Sequence, residues 1–165
     1  MEQKKLNFGC GNDIRKGWDN VDIQKGKDIA KSFDFGKFPY PIKDNVYDYI
    51  FLSQVLEHLE KPEKVLLELR RICKPGGIIR IEVTYYNNKG AFNSLEHIHY
   101  FSDETFRDFV EERKVIDKQR GFKIQSLYVT PTIIGKFFPY FIRRKLSLFI
   151  GGLMANVEVE LKIIK

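Results

Sequence analysis

Short apolar runs, each closed by a turn or by a polar residue, recur along the chain at intervals typical of strands in a sheet. The runs predicted to be strands are 6–8, 20–23, 29–33, 46–52, 78–83, 122–129 and 157–164. Two other stretches repeat apolar residues at helical spacing. The first begins at Pro62, a residue suited to the first helical position, and the second follows Ser102, a good N-cap. Alternating strands and helices predict a largely parallel sheet with helices on its faces.

The connection between the first two strands is unusually short. Only about ten residues separate Gly11 from the second strand, whereas a full crossover with its helix needs roughly a dozen or more. We therefore expect the helix that normally follows the first strand to be a single turn or absent.

Two polar features stand where neighbouring strands end. Gly9-Cys10-Gly11 follows the first strand, and Asp22 lies at the end of the second. In an α/β sheet this arrangement places bare backbone beside a carboxylate at the carboxyl edge, where nucleoside-type cofactors bind.

The details disfavour a nicotinamide dinucleotide as that cofactor. The nicotinamide fingerprint has glycine at the first, third and sixth positions of the turn, and the sixth position here is Ile14. Asp22 follows Gly9 by 13 positions, against roughly 20 for the fingerprint acid.

Composition bounds the remaining possibilities. The 165 residues, 43% hydrophobic and 30% charged, are enough for one globular domain. The net charge of +6 is spread along the chain without a basic block, which disfavours nucleic acid as a partner. Cys10 and Cys73 fit neither a disulfide framework nor a zinc site. We see no apolar signal segment in residues 1–5 and no membrane-spanning run, so we expect a cytoplasmic protein.

Taken in order, several segments make the chain resemble the class I S-adenosylmethionine-dependent methyltransferases, in particular their small Rossmann-like group. The resemblance covers about residues 5–125, and the segments that carry it are 6–11, 20–22, 34–35, 44–48, 55–59, 69–77, 97–102 and 121–122. It implies a Rossmann-like three-layer α/β sandwich with a mostly parallel seven-stranded sheet, the last strand antiparallel, and shortened first crossovers. It also implies S-adenosylmethionine as the cofactor. We expect one methyltransferase domain over 1–165, with 131–155 as a helical insertion between the last two strands.

The resemblance also implies which residues meet the cofactor: Gly9, Cys10, Gly11, Asp22, Asp34, Phe35, Ser53 and Gln54. The glycine turn would let backbone approach the methionyl part, and Asp22 would accept hydrogen bonds from the ribose hydroxyls. Asp34 and Phe35 would lie against the adenine. Ser53 and Gln54 would line the methionyl end, although ordinary loop polarity also accounts for them.

Methyl transfer from a sulfonium is an in-line displacement that depends mainly on positioning, so a base is needed only for a protonated acceptor. His97 and His99 are the candidate catalytic residues, since they precede the capped helix and lie two apart in an extended segment. The alternative is that one of them orders the loop. Two histidines alone make a poor metal site, and no metal is expected. For Glu57-His58 we favour a structural role.

The acceptor is not specified by any motif, and we expect a small molecule or a glycan precursor. A non-catalytic module that keeps the cofactor fold and binds a partner is the alternative. The aromatic and basic residues of 137–150 could form a peripheral membrane element or a dimer face, but we favour an insertion that covers the sheet.

Overall fold

A computed structural model describes residues 3–111 and 121–165. Its single sheet has seven strands in the order β3-β2-β1-β4-β5-β7-β6. Strand β7 pairs antiparallel with both β5 and β6, and the other pairings are parallel. The predicted Rossmann-like α/β fold with its last strand antiparallel is thereby confirmed. The strands are β1 Lys5–Phe8, β2 Asp19–Asp22, β3 Lys31–Ser32, β4 Tyr47–Ser53, β5 Cys73–Thr84, β6 Phe122–Pro131 and β7 Met154–Ile163.

Within the described residues, three α-helices accompany the sheet: α1 Pro62–Ile72, α2 Asp103–Val110 and α3 Tyr140–Leu146. Helix α1 begins at the predicted proline and packs against β5. The hydroxyl of Ser102 accepts a hydrogen bond from Thr105 N, and the Thr105 hydroxyl accepts one from Ser102 N. This capping box satisfies two of the free amides at the start of α2, which confirms the predicted cap.

Residues 9–18, between β1 and β2, contain no helix, as their number predicted. The segment is held by polar side chains of the sheet. The Asn7 amide donates to Asp13 O and to Asn20 Oδ1, at 2.6 and 3.0 Å. The Arg15 guanidinium lies 3.8 Å from the centre of the Phe51 ring. The glycine turn is therefore fixed by this packing and not by a following helix.

The two faces of the sheet differ in character. One face carries the fully buried Ile50, Leu52, Ile79 and Ile81, which pack in the main core. On β5 the positions that alternate with Ile79 and Ile81 include the charged Arg80 and Glu82. There, Arg80 bridges Glu82 and Glu158 at 2.7 and 3.0 Å.

Two strand predictions need correction in their extent. The third strand, expected at 29–33, is only Lys31–Ser32, an exposed edge strand. The fifth begins at Cys73 and not at Ile78, because Cys73 pairs with Tyr47 ahead of the register shift in β4. Between β6 and β7 lie a short 3-10 turn, Gly135–Phe137, and helix α3.

Candidate active site

The glycine turn and Asp22 are directly bonded. The main-chain nitrogen of Gly11 donates to Asp22 Oδ2 over 2.8 Å, and Gln24 N donates to Oδ1 over 3.0 Å. Below them, the amides of Gly9 and Cys10 both donate to Val21 O. Because β1 and β2 are parallel neighbours, the turn after one strand and the acid at the end of the next meet at the same edge.

Glycine is required in this turn for two different reasons. Gly9 has φ +70°, and a β-carbon there would lie 2.5 Å from Val55 Cγ2. Gly11 has φ +47°, but nothing lies within 4 Å of the position that its β-carbon would occupy. The first glycine allows close packing, whereas the second borders open space that a ligand could approach.

A cleft of about 430 Å³ adjoins this pair, lined by residues 11, 12, 14, 22 and 24–29. Its volume lies within the usual range for small-molecule sites. Each Asp22 oxygen accepts one main-chain hydrogen bond and keeps further acceptor capacity. The site therefore fits a ligand that presents paired hydroxyl donors.

Asp34 and Phe35 are placed differently from one another. The Asp34 carboxylate is partly exposed and accepts a hydrogen bond from Gly36 N over 2.8 Å. The Phe35 ring is buried and stacks on Phe8, with centroids 4.0 Å apart. Its ring thus belongs to the core, and only its backbone could face a ligand.

The end of β4 brings Ser53 and Gln54 towards β5. The Ser53 hydroxyl donates to Glu82 Oε2 over 3.3 Å, and Gln54 Oε1 accepts from the Thr84 hydroxyl over 2.6 Å. Gln54 has φ +55°, a left-handed conformation that non-glycine residues seldom adopt outside constrained sites.

The Cys10 thiol is poorly suited to act as a nucleophile. The side chain is buried, and burial, followed by the nearby Asp22 carboxylate, raises the pKa of the thiol above its ordinary value. Because the thiolate is the reactive form, we assign Cys10 a packing role within the turn.

The histidine segment is held by Glu57. The Glu57 carbonyl accepts hydrogen bonds from Ile98 N and His99 N, at 2.9 and 3.3 Å, and its buried carboxylate accepts from Thr84 N. The His58 ring meets the His97 ring edge-on, with centroids 4.6 Å apart. These contacts support the structural role expected of Glu57 and His58.

The two candidate catalytic histidines have different partners. His97 Nδ1 lies 3.0 Å from Ala91 O, and His99 Nε2 lies 3.4 Å from Glu60 O. A carbonyl oxygen can only accept, so each of these nitrogens carries the proton in a neutral ring. That leaves a lone pair on Nε2 of His97 and on Nδ1 of His99.

Comparison with known proteins agrees with this geometry. The family profile described as "Methyltransferase domain" matches residues 10–81, from the glycine turn through β5. Over these residues the chain is therefore similar to methyltransferase domains.

Two individual relatives share sequence with the chain. It is 29% identical to the uncharacterized protein MJ1123 of Methanocaldococcus jannaschii over 137 residues, which are 79% of this chain and 62% of that protein. It is 46% identical to the uncharacterized methyltransferase C1B3.06c of Schizosaccharomyces pombe over 60 residues, 34% of this chain and 21% of the relative. The chain thus spans about three fifths of the first relative's length and a fifth of the second's.

A solved structure shares the fold at low identity. The S-adenosylmethionine-dependent methyltransferase of Archaeoglobus fulgidus superposes with a TM-score of 0.70 and 16% identity. The aligned region covers 97% of this chain and 86% of that one.

A second cavity, of about 440 Å³, lies at the carboxyl end of β5. Its walls are contributed by three tyrosines, the start of α2 and the end of α3: Tyr85, Tyr86, Tyr100, Ser102, Asp103, Glu104, Thr105, Arg144, Ser147 and Leu148. Asp103 is only 5% exposed and is paired with Arg144 at 2.9 Å. Burial raises the pKa of Tyr85 to about 12, so its hydroxyl stays protonated at neutral pH and can donate.

Sequence reasoning missed this Asp103–Arg144 pair. Asp103 has the ordinary signature of an acid in the first turn of a capped helix. Arg144 lies 41 positions away, and no local pattern joins the two.

Among residues 3–111 and 121–165, no group of three or more His, Cys, Asp or Glu could hold a metal ion. Over the same residues, no helix is long and apolar enough to cross a membrane.

Proposed function

We propose that this domain transfers a methyl group from S-adenosylmethionine to a hydroxylated small molecule, such as a glycan precursor. The observation that carries the proposal is the hydrogen bond between Gly11 N and Asp22, at the mouth of the 430 Å³ cleft. It supports a site in which bare backbone and a carboxylate act together on one ligand.

In this proposal the cleft holds the adenosyl part of the cofactor. Asp22 accepts from the ribose hydroxyls with the acceptor capacity that its two main-chain hydrogen bonds leave. The Asp34 carboxylate and the Phe35 backbone face the adenine, and Gly9 to Gly11 run alongside the methionyl part. Ser53 and Gln54 close the methionyl end, where Gln54 is fixed by Thr84. When bound, S-adenosylmethionine supplies a methyl group activated by the sulfonium charge.

The chain's own residues then have to position the acceptor and receive its proton. His97 suits that role better than His99, because its Nδ1 is held at 3.0 Å by Ala91 O and its Nε2 keeps a lone pair. The His99 ring lies at a longer distance from its carbonyl, 3.4 Å. A positioned histidine base contributes roughly 10²–10⁴-fold to such proton transfers.

The tyrosine-lined cavity is the proposed acceptor site. Tyr85 follows Thr84 directly, and Thr84 bonds to Gln54 at the methionyl end, so the cavity adjoins the expected position of the transferable methyl group. Tyrosine rings, a buried carboxylate and a guanidinium are groups that stack on and hydrogen-bond to a polyhydroxylated ring. This lining favours a sugar-like acceptor over an apolar one.

The decisive experiment separates binding from transfer. Calorimetry with S-adenosylhomocysteine should give binding to the wild type and markedly weaker binding to Asp22→Ala. Incubation with methyl-labelled S-adenosylmethionine and a fractionated extract should then place label in a small polar fraction. Absence of S-adenosylhomocysteine binding would refute the proposal. Binding without transfer to any fraction would favour the non-catalytic partner-binding module.

A further inference from the structure

The segment between β6 and β7 exposes large apolar side chains to an unusual degree. Its ends are tied together, because Thr132 N donates to Leu153 O over 3.1 Å. Six residues of this segment are 64–88% exposed, and we call them the apolar surface: Ile133, Ile134, Phe137, Phe141, Leu148 and Phe149. Monomeric proteins in water rarely expose a cluster of this kind without a binding role.

Helix α3 buries a charged side chain and exposes apolar ones, which is the reverse of a water-facing helix. Its buried position is a cation, Arg143, which is 8% exposed and donates to Gly135 O over 3.3 Å. Its exposed side carries Phe141 at 65%, and the turn that follows carries Phe149 at 88%. A helix facing water normally buries its apolar stripe and exposes its charges, so the outward side of this segment is built for an apolar environment.

The charged residues within the β6–β7 segment have one sign. Residues 131–157 contain four cations, at positions 136, 143, 144 and 145, and no aspartate or glutamate. Lys136 and Lys145 are exposed, while Arg144 is held by Asp103 and Glu104. Two copies of this surface face to face would bring like charges together, which disfavours a dimer. An anionic surface satisfies both the charge and the apolar side chains.

A second exposed pair extends the same region. Phe92 and Leu95, in the loop after β5, are 64% and 104% exposed. That loop is joined to the segment between β6 and β7 and to the start of β7. The hydrogen bonds run from the Asn87 amide to Ser147 O and from the Asn88 amide to Met154 O. The two exposed groups therefore belong to one edge of the molecule.

From these observations we propose that the apolar surface docks on a lipid bilayer that contains anionic phospholipids. Its phenylalanines enter the headgroup boundary, and Lys136 and Lys145 face the lipid phosphates. Apolar insertion combined with basic residues is the arrangement by which peripheral elements hold a membrane. Leu148 is 70% exposed in this surface and also lines the 440 Å³ cavity, so a docked molecule would present that cavity to the bilayer.

The test is co-sedimentation with vesicles, which needs neither cofactor nor acceptor. We expect the wild type to bind vesicles of mixed phosphatidylcholine and phosphatidylglycerol at low salt, and to bind pure phosphatidylcholine weakly. Phe137→Ser/Phe149→Ser should lower partitioning by roughly tenfold or more. Lys136→Gln/Lys145→Gln should lower it by about fivefold for each lysine. The matched control Leu67→Ser/Tyr128→Ser removes exposed apolar side chains elsewhere, 39% and 65% exposed, and should change it by less than about twofold.

Three results would overturn the proposal: no sedimentation of the wild type with anionic vesicles, undiminished sedimentation of both surface variants, or a dimer in light scattering that the phenylalanine variant abolishes. Thermal melts monitor folding, and the lysine variant still decides the matter if the phenylalanine variant unfolds. Since S-adenosylhomocysteine binding is measured separately, failure of membrane docking and failure of the methyltransferase proposal are distinguishable.

Discussion

The main-chain nitrogen of Gly11 and the Oδ2 atom of Asp22 lie 2.8 Å apart, joined by a hydrogen bond between the ends of two adjacent strands. The bond orients the carboxylate and fixes the turn at once. A ligand that spans backbone and acid therefore meets a site that is already formed and loses little free energy in ordering it.

Removing the carboxylate should abolish this arrangement. We expect Asp22→Ala to weaken S-adenosylhomocysteine binding by roughly 10–100-fold, since hydrogen bonds to a charged group contribute about 1.5–3 kcal/mol. Calorimetry measures the change. Asp13→Ala is the matched control, because that carboxylate lies in the segment that follows the glycine turn but pairs with Arg15. Equal loss in both variants would contradict the role of Asp22.

Substitution of Gly9 tests the packing beneath the turn. Gly9→Ala meets Val55 Cγ2 at 2.5 Å, whereas Gly17→Ala has the same positive φ, +77° against +70°, but open space. Gly17→Ala is the control and should lose about 1–2 kcal/mol of unfolding free energy from backbone strain alone. Gly9→Ala should lose more, because the clash with Val55 adds to the same strain. Urea denaturation compares them. If the two variants were equally stable, the clash with Val55 would carry no energy.

The proposed base can be tested through its two ring nitrogens. His97→Asn keeps a donor near Ala91 O but has no group at the position of Nε2. We expect methyl transfer to fall by roughly 100-fold or more, while S-adenosylhomocysteine affinity stays within about twofold. His99→Asn serves as the comparison and should retain most of the transfer. Unchanged turnover in His97→Asn would exclude His97 as the base.

We expect the interaction of Arg71 with Glu68, beside residues 40–44, to make the stability of the fold depend on pH. Arg71 makes two hydrogen bonds to Glu68, at 2.9 and 2.8 Å, and also donates to Tyr40 O and Ile42 O. Hydrogen bonding from Arg71, opposed by burial, lowers the pKa of Glu68 below its ordinary value. A lowered pKa means that the folded state favours the ionised form, so the stabilisation is complete above the ordinary pKa of about 4.3 and is lost as pH falls through the lower folded pKa.

Glu68→Gln should therefore cost about 1–3 kcal/mol of unfolding free energy at neutral pH, with a penalty that shrinks in acid. Urea denaturation at several pH values measures it. Lys37→Gln, which removes an ion pair to Asp34 whose lysine is 85% exposed, is the control and should have little effect at any pH. A penalty for Glu68→Gln that does not change with pH would contradict the assignment.

Rules that use only residues close in sequence, or general sheet topology, predicted most of the fold and the residues at the centre of the cleft. Strand positions followed from apolar runs, the start of α2 from Ser102, and the missing first helix from the number of residues available. The closeness of Gly11 to Asp22 followed from one property of parallel sheets, that neighbouring strands end at the same edge. Each of these inferences needs only residues close in sequence or a general rule of topology.

Features that depend on distant partners could not be predicted in this way. The Phe35 ring enters the core because Phe8 and Tyr40 surround it. The sequence does not indicate the left-handed conformation of Gln54, because glycine or asparagine is the usual residue in that conformation. Arg143 looks like a surface residue in a basic run, yet it is buried against Gly135 from another turn of the chain.

The lack of a helix after β1 also decides what sign of charge the glycine turn can receive. In dinucleotide folds the amino end of that helix directs its macrodipole at the turn and stabilises a pyrophosphate. Residues 9–18 here contain no helix, so that positive field is missing, and the charged group bonded to Gly11 is a carboxylate. The turn therefore offers a polyphosphate none of the stabilisation that a helix end would supply.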